Sequence, residues 1–212
     1  MRLYLASTSP ARRALLGAAG IDPVLLSPGV DEEAAVEAAE AAAGAALPTE
    51  EMVQLLARAK AEAVIGRTVD GAPIDGFILG GDSSFLLDGI SHGKPHESAI
   101  ARERWLAQRG RTGMLWSGHW LIDHRGGRAN AAIGRAAVAG VTFADVTDSE
   151  IDAYIATGEP LEVAGAFTVD SLGGPFITRV EGDPSTVVGL SLSTLRELVR
   201  ELGGEWTDLW NR

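Results

Sequence analysis

The sequence predicts an α/β protein, on three observations. A short apolar run, Arg2 to Ala6, leads straight into Ser7-Thr8-Ser9-Pro10, where hydroxyls precede a proline; this reads as a strand followed by a helix start. A second apolar run, Phe77-Ile78-Leu79, ends at Gly80-Gly81 after a long helical pattern, so strands and helices alternate. The length of 212 residues, with 46% hydrophobic and 22% charged residues, suits one compact domain spanning the whole chain with a sizeable core.

Each element has its own signal. The first helix covers Ala11 to Ala19 and stops at Gly20, and Pro23 to Leu26 suggests a second strand. Asp31 to Gly44 is rich in Ala and Glu, with high helix propensity and little apolar bulk, so it reads as a solvated helix or a flap. Thr49 is placed as an N-cap, with Glu50 and Glu51 in the first turn and Met52, Leu55, Leu56, Ala59 and Ala63 at helical spacing to about Gly66. Phe77-Ile78-Leu79, the Gly80 to Ser84 segment and Phe85-Leu86-Leu87 read as strand, bend, strand, followed by an Asp88-Gly89 turn. Glu97 to Gln108 is helical. Gly113 to Asp123 and Arg128 to Phe143 form a long antiparallel pair joined by Arg125-Gly126-Gly127. Asp148 to Ala156 is a helix closed by Gly158, and Ser191 to Leu202 is an amphipathic final helix with Leu192, Leu195, Leu198, Val199 and Leu202 on one side.

Charge and composition exclude several functions. With 29 acidic against 18 basic residues the net charge is -11, and no Lys/Arg block tracks a phosphate backbone, so polymeric nucleic acid is not the expected ligand. A small polyanion is compatible, because a few cations converging in one pocket make a local positive field. The absence of cysteine rules out disulfides, thiolate metal sites and cysteine nucleophiles, and fits a reducing cytoplasm. Met1 to Leu5 is too short for a signal h-region or a membrane span, so no export or anchoring is expected. His92 and His96 straddle Gly93 and Pro95, which excludes a helical two-histidine zinc face. His119 and His124 in the β-pair read as exposed or satisfied, and Trp105 and Trp116 as core or groove fillers. Trp206 and Trp210 read as covering a lobe or a subunit contact.

Cleaving a phosphoanhydride needs cations or a metal on the phosphates, an activated water, and loops that admit phosphate closely. Asp82, after two glycines, is the kind of hard oxygen donor a magnesium ion takes. Lys60 and Lys94, the latter set between Gly93 and Pro95, are candidate phosphate ligands. Ser7 to Arg13 combines hydroxyls, a helix N-terminus and two arginines into an anion site.

Taken singly these signals are ordinary, but their order along the chain is specific. Leu5-Ala6-Ser7-Thr8-Ser9-Pro10-Ala11-Arg12-Arg13, Val30-Asp31-Glu32, Ala59-Lys60-Ala61, Gly80-Gly81-Asp82-Ser83 and Gly93-Lys94-Pro95 follow one another. Gly158-Glu159-Pro160-Leu161, Ala164-Gly165-Ala166-Phe167 and Val187-Val188-Gly189-Leu190-Ser191-Leu192 come next. This series resembles that of the Maf family over nearly the whole chain.

The resemblance implies a mixed sheet in two lobes with a central cleft, similar to inosine triphosphate pyrophosphatases, and a homodimer. It implies a house-cleaning enzyme that splits normal, non-canonical or modified nucleoside triphosphates to monophosphate and pyrophosphate with Mg²⁺ or Mn²⁺. Position by position, Asp82 matches the catalytic and metal-binding aspartate and Glu32 the second metal carboxylate. Lys60 and Lys94 match phosphate-binding lysines, and Ser7 and Arg12 the N-terminal phosphate loop. Three positions where the family chooses its base depart from its better-known members: Ala11, Ser83 and Asp170. Small groups at the first two imply a differently shaped base pocket, and an ionised Asp170 accepts hydrogen bonds only, favouring an N–H edge. The rival reading is a nucleotide-binding regulator of cell division without turnover; retention of the carboxylates and lysines argues against it.

Overall fold

The computed structural model describes residues 1–211. Its secondary structure runs β1 (Leu3–Ala6), α1 (Pro10–Ala18), β2 (Val24–Leu25), α2 (Glu32–Ala43), α3 (Thr49–Glu62), β3 (Thr68–Val69), β4 (Ala72–Pro73), β5 (Phe77–Leu87) and β6 (Ile90–His92). It continues with α4 (Ser98–Gln108), β7 (Thr112–Asp123), β8 (Ala131–Phe143), α5 (Asp148–Ala156), β9 (Ile177–Glu181), α6 (Pro184–Val188) and α7 (Leu192–Glu201). A seven-stranded sheet has the order β2-β1-β5-β7-β8-β9, with β6 also on β5. It is mixed: β1 is parallel to β2 and β5, whereas β6 and β9 pair antiparallel to β5 and β8. The fold is therefore α/β, as the sequence predicts.

The chain divides into two compact units. One comprises residues 1–82, 117–137 and, among the described residues, 189–211, the other 83–116 and 138–188, so β5, β7 and β8 each pass from one into the other.

In the first unit the strand residues alternate between two cores, as the two-residue period of a strand requires. Leu3, Leu5, Phe77 and Leu79 pack with Leu16 of α1 and with Leu195, Leu198 and Val199 of α7. Tyr4, Ala6 and Ile78 point the other way, to Ala61 and Val64 at the end of α3. Helices α1 and α3 thus cover opposite faces of the β1–β5 pair. Capping follows the sequence signals: Ser9 caps α1 with Pro10 at its first position, Asp31 caps α2, Ser191 caps α7, and Gly44 closes α2 in the left-handed conformation.

The second unit is built on an aromatic cluster. Phe85, Trp105, Phe143, Tyr154, Phe167 and Phe176 meet edge to face at centroid distances of 4.9–5.8 Å, each such pair adding about 0.5–1.5 kcal/mol beyond area burial. Trp105 is the core filler expected of it, fully buried with Nε1 donating to the Ala166 carbonyl at 2.7 Å. Thr147 and Glu150 form a reciprocal capping box at the start of α5.

Two expectations need correction, and one element is additional. The bend at Gly80 to Ser84 does not exist, because Phe77–Leu87 is one unbroken eleven-residue strand. Glycine within a strand often marks the close approach of another group, and here the α3 backbone lies over Gly80 and the Arg12 side chain over Gly81. Thr49 is the first residue of α3 and is buried, while Pro48 holds the cap position without a side-chain bond. The small β3–β4 hairpin was unforeseen, although Asp70-Gly71 at its tip, both with positive φ, is a recognised hairpin signal.

Candidate active site

Strand β1 pairs in parallel with β5 in the register Leu3↔Phe77 to Ala6↔Gly80, so the chain leaves β1 at Ser7 beside Gly81 and Asp82. The connections from β1 go to α1 on one face and, after β2, to α3 on the other. Such a switch point, at the carboxyl ends of parallel strands, is where open α/β sheets receive ligands.

The two glycines decide what can approach. A Cβ on Gly80 would lie 2.0 Å from the Ala57 carbonyl oxygen and 2.8 Å from the Ala61 amide nitrogen. The bare strand therefore lets the α3 backbone pack directly upon it. Ala57, Lys60 and Ala61 share one helix face, and Gly80 and Asp82 share one strand face, so this contact delivers Lys60 to Asp82. The ammonium Nζ lies 2.7 Å from Asp82 Oδ1 and 2.8 Å from Glu32 Oε1. On the opposite face of β5, a Cβ on Gly81 would be 3.1 Å from Arg12 Nε. Gly81 thus makes room for the guanidinium.

Arg12 is buried and anchored: Nε donates to the Gly189 carbonyl at 2.7 Å and Nη1 to Ser7 Oγ at 3.2 Å. Ser7 Oγ also accepts from the Ser9 amide at 3.2 Å, shaping the turn into α1. Behind Gly189, the Ser191 amide donates to His119 Nε2 at 2.8 Å, and His119 Nδ1 lies 3.0 Å from the Arg135 carbonyl. An amide only donates and a carbonyl only accepts, so His119 is the neutral tautomer with its proton on Nδ1. His119 and His124, whose Nδ1 meets the Ile74 carbonyl at 2.9 Å, are satisfied core histidines as expected.

Burial raises the Asp82 carboxyl above the ordinary aspartate range, opposed by the charges of Lys60 and Arg12 and the hydrogen bond from Lys60. Burial likewise lowers the Arg12 guanidinium, against the pull of Asp82 and Glu32. The cluster balances its charges internally. Asp82 and Lys60 expose only 12% and 9% of their side chains, whereas Glu32, the first residue of α2, is half exposed.

The sequence candidates therefore divide. Ser7, Arg12, Glu32, Lys60 and Asp82 gather in the first unit, with the half-buried Ala11 beside Arg12 on α1. Ser83, Lys94 and Asp170 belong to the second. There Ser83 is half-buried in β5, Lys94 Nζ lies 3.8 Å from Glu162, and Asp170 is an exposed loop residue. Among the described residues no group of three or more His, Cys, Asp or Glu could enclose a metal ion. Glu32 and Asp82 do present hard oxygen donors to one point, now held by the Lys60 ammonium. That donor set suits an ion such as Mg²⁺, which keeps waters and takes the rest of its shell from phosphate.

Sequence reasoning missed the Gly189 carbonyl, since a backbone acceptor leaves no mark in residue type. It missed the function of Glu159 as well. This residue closes the second unit's loop at 168–173, and its oxygens accept from Tyr154, Thr168 and Ser171 hydroxyls and from the Leu172 and Gly173 amides. The signal was present in Gly158-Glu159-Pro160, but nothing in the sequence names the donors.

Fold and site together define an α/β protein whose cationic side chains and carboxylates meet at a switch point. A family profile described as "Maf-like protein" matches residues 2–202, and the chain belongs to that family. It is similar to a protein named nucleoside triphosphate pyrophosphatase from Leifsonia xyli subsp. xyli, 74% identical over 212 residues, covering 100% of this chain and 98% of that protein. Proteins of the same name from Salinispora tropica and Nocardia farcinica are 50% and 46% identical, covering 100% and 98% of this chain and 88% and 96% of theirs. No helix among the described residues is long and apolar enough to cross a membrane.

Proposed function

We propose that this chain, a Maf-family nucleoside triphosphate pyrophosphatase and hence a hydrolase, works as a single Maf-like domain. It cleaves the α,β-anhydride of a normal, non-canonical or modified nucleoside triphosphate, adding water and releasing monophosphate and pyrophosphate. The observation that carries this reading is the meeting of Asp82, Lys60 and Glu32 within 2.8 Å, beside Arg12 and Ser7, at the carboxyl ends of β1 and β5.

Asp82 is the base that takes the proton of the attacking water. Burial makes its carboxylate more basic than an exposed aspartate, and the cationic neighbours keep it available in ionised form. Lys60 and Arg12 offset charge that moves onto the leaving pyrophosphate, with Lys94 as a further phosphate ligand. Ser7 and the amides at the start of α1 fix a phosphate, and the Arg12 guanidinium is already oriented by Gly189. Glu32 and Asp82 would hold a Mg²⁺ or Mn²⁺ ion, which when bound neutralises phosphate charge and makes bound water more acidic. Ala11, Ser83 and Asp170 select the base. We also propose a homodimer acting in the cytoplasm.

The test is Asp82→Asn, which keeps the side chain's shape and removes its charge. Pyrophosphate release should fall by about 100-fold or more while circular dichroism stays unchanged. A variant as active as the parent would remove Asp82 as base, and triphosphate binding without monophosphate product in the parent would favour a regulator.

A further inference from the structure

In the second unit, an exposed loop is fixed by one carboxylate. Glu159 Oε1 accepts from Tyr154 Oη at 2.9 Å, Thr168 Oγ1 at 2.5 Å and the Gly173 amide at 3.2 Å. Its Oε2 accepts from Ser171 Oγ at 2.7 Å and the Leu172 amide at 3.3 Å. Thr168 Oγ1 further accepts from the Gly173 amide at 3.1 Å, and the Thr168 amide donates to Tyr154 Oη at 3.2 Å. Both ends of the segment 168–173 are thus tied to one point. A Cβ on Gly173 would lie 2.6 Å from Tyr154 Oη and 2.7 Å from the Thr168 carbonyl, so the closure tolerates no side chain there. Asp170 stands at the exposed middle of this loop.

Five donors, drawn from both ends of the segment and from Tyr154, converge on one carboxylate and use its full acceptor capacity. Fixing a loop before its ligand arrives removes the ordering cost from binding and holds the polar group of the loop at one position. Burial alone would push the Glu159 carboxyl up, but these hydrogen bonds hold it down to about 2, so the hub keeps its charge throughout the working range.

We infer that Glu159 is a positioning residue for base selection: it holds the 168–173 loop so that Asp170 meets the nucleobase edge in one fixed geometry. This rests on the proposed base contact of Asp170. The expected consequence is that selectivity among triphosphates depends on Glu159 although Glu159 touches no substrate.

The experiment measures kcat/KM for a panel of normal and modified nucleoside triphosphates with the parent, Glu159→Gln, Asp170→Ala and the double variant. Asp170→Ala and Glu159→Gln should each reduce the ratio between the best and the next triphosphate by about 3- to 10-fold. The double variant should lose no more than either alone, because both act through one contact. If Asp170→Ala changes the ratio and Glu159→Gln lowers only the melting temperature, or if the losses multiply, positioning by Glu159 is refuted and the base contact survives. An unchanged ratio in Asp170→Ala would refute the base contact itself, and the inference with it. Should Glu159→Gln fail to fold, Ser171→Ala, which deletes one donor to Oε2, must shift the ratio in the same direction by a smaller factor; an unmoved ratio there overturns the inference.

Discussion

Lys60→Met isolates the electrostatic logic of the site from its chemistry. Methionine retains the apolar stem on α3 but removes the charge that lies 2.7 Å from Asp82 Oδ1 and 2.8 Å from Glu32 Oε1. Removing one partner of a buried ion pair costs about 3–5 kcal/mol, because the other charge is left without compensation. Two features of this site reduce that cost. Arg12 still offsets Asp82, and the half-exposed Glu32 turns to solvent. The expected loss is therefore about 2–3 kcal/mol near pH 8, equivalent to about 4–12 °C in melting temperature for a chain of this size.

The pH dependence has a defined sign. A carboxyl whose folded value is raised by burial favours the protonated native state, so that contribution is complete below the ordinary aspartate range and lost as pH rises through the raised value. Without Lys60 the Asp82 value rises further, and the penalty of the substitution should be smallest at pH 5 and grow toward pH 8. Urea unfolding at the two pH values, with Asp82→Asn and the double variant completing a cycle, measures this. The double variant should recover at least about half of the loss, since the neutral amide of Asp82→Asn needs no counter-charge. A penalty below about 0.5 kcal/mol, or one independent of pH and untouched by Asp82→Asn, would refute the claim that Lys60 compensates a buried Asp82.

Two further outcomes follow from the packing and the loop hub. Gly80→Ala places a methyl 2.0 Å from the Ala57 carbonyl, so α3 must move off β5; stability should fall by about 3 kcal/mol or more, and turnover should drop with it as Lys60 and Asp82 separate. A fully stable and active variant in urea and pyrophosphate-release assays would mean that α3 does not rest on the bare strand. For Glu159, a folded value of about 2 against the ordinary 4.5 contributes stability that is complete above the ordinary range and lost as pH falls toward 2. Because the group is partly solvated, about 1–2 kcal/mol is expected after screening. The stability difference between the parent and Glu159→Gln should therefore shrink between pH 5 and pH 2.5, as followed by thermal melts.

Much of the fold was legible because its signals are local. Ser9-Pro10, Asp31, Ser191 and Gly44 each act on backbone groups within one helical turn, so cap and residue type coincide. The strand and helix order likewise follows from periodicity. The error at Gly80-Gly81 came from the same locality: paired glycines usually mark a bend, and only the partners supplied by α3 and Arg12 show why the strand runs on.

By itself the sequence determined the membership of the chemical set: which carboxylates, lysines and hydroxyls exist, and in what order they occur. Bringing Glu32, Lys60 and Asp82 to one point was decided by tertiary structure, since it depends on a helix backbone resting on a strand with no side chain between them. The Gly189 carbonyl that orients Arg12 and the donors gathered by Glu159 belong to the same class. Hydrogen bonds between distant segments are set by where backbone and side-chain atoms meet after folding, and residue identity does not encode that separately from the fold.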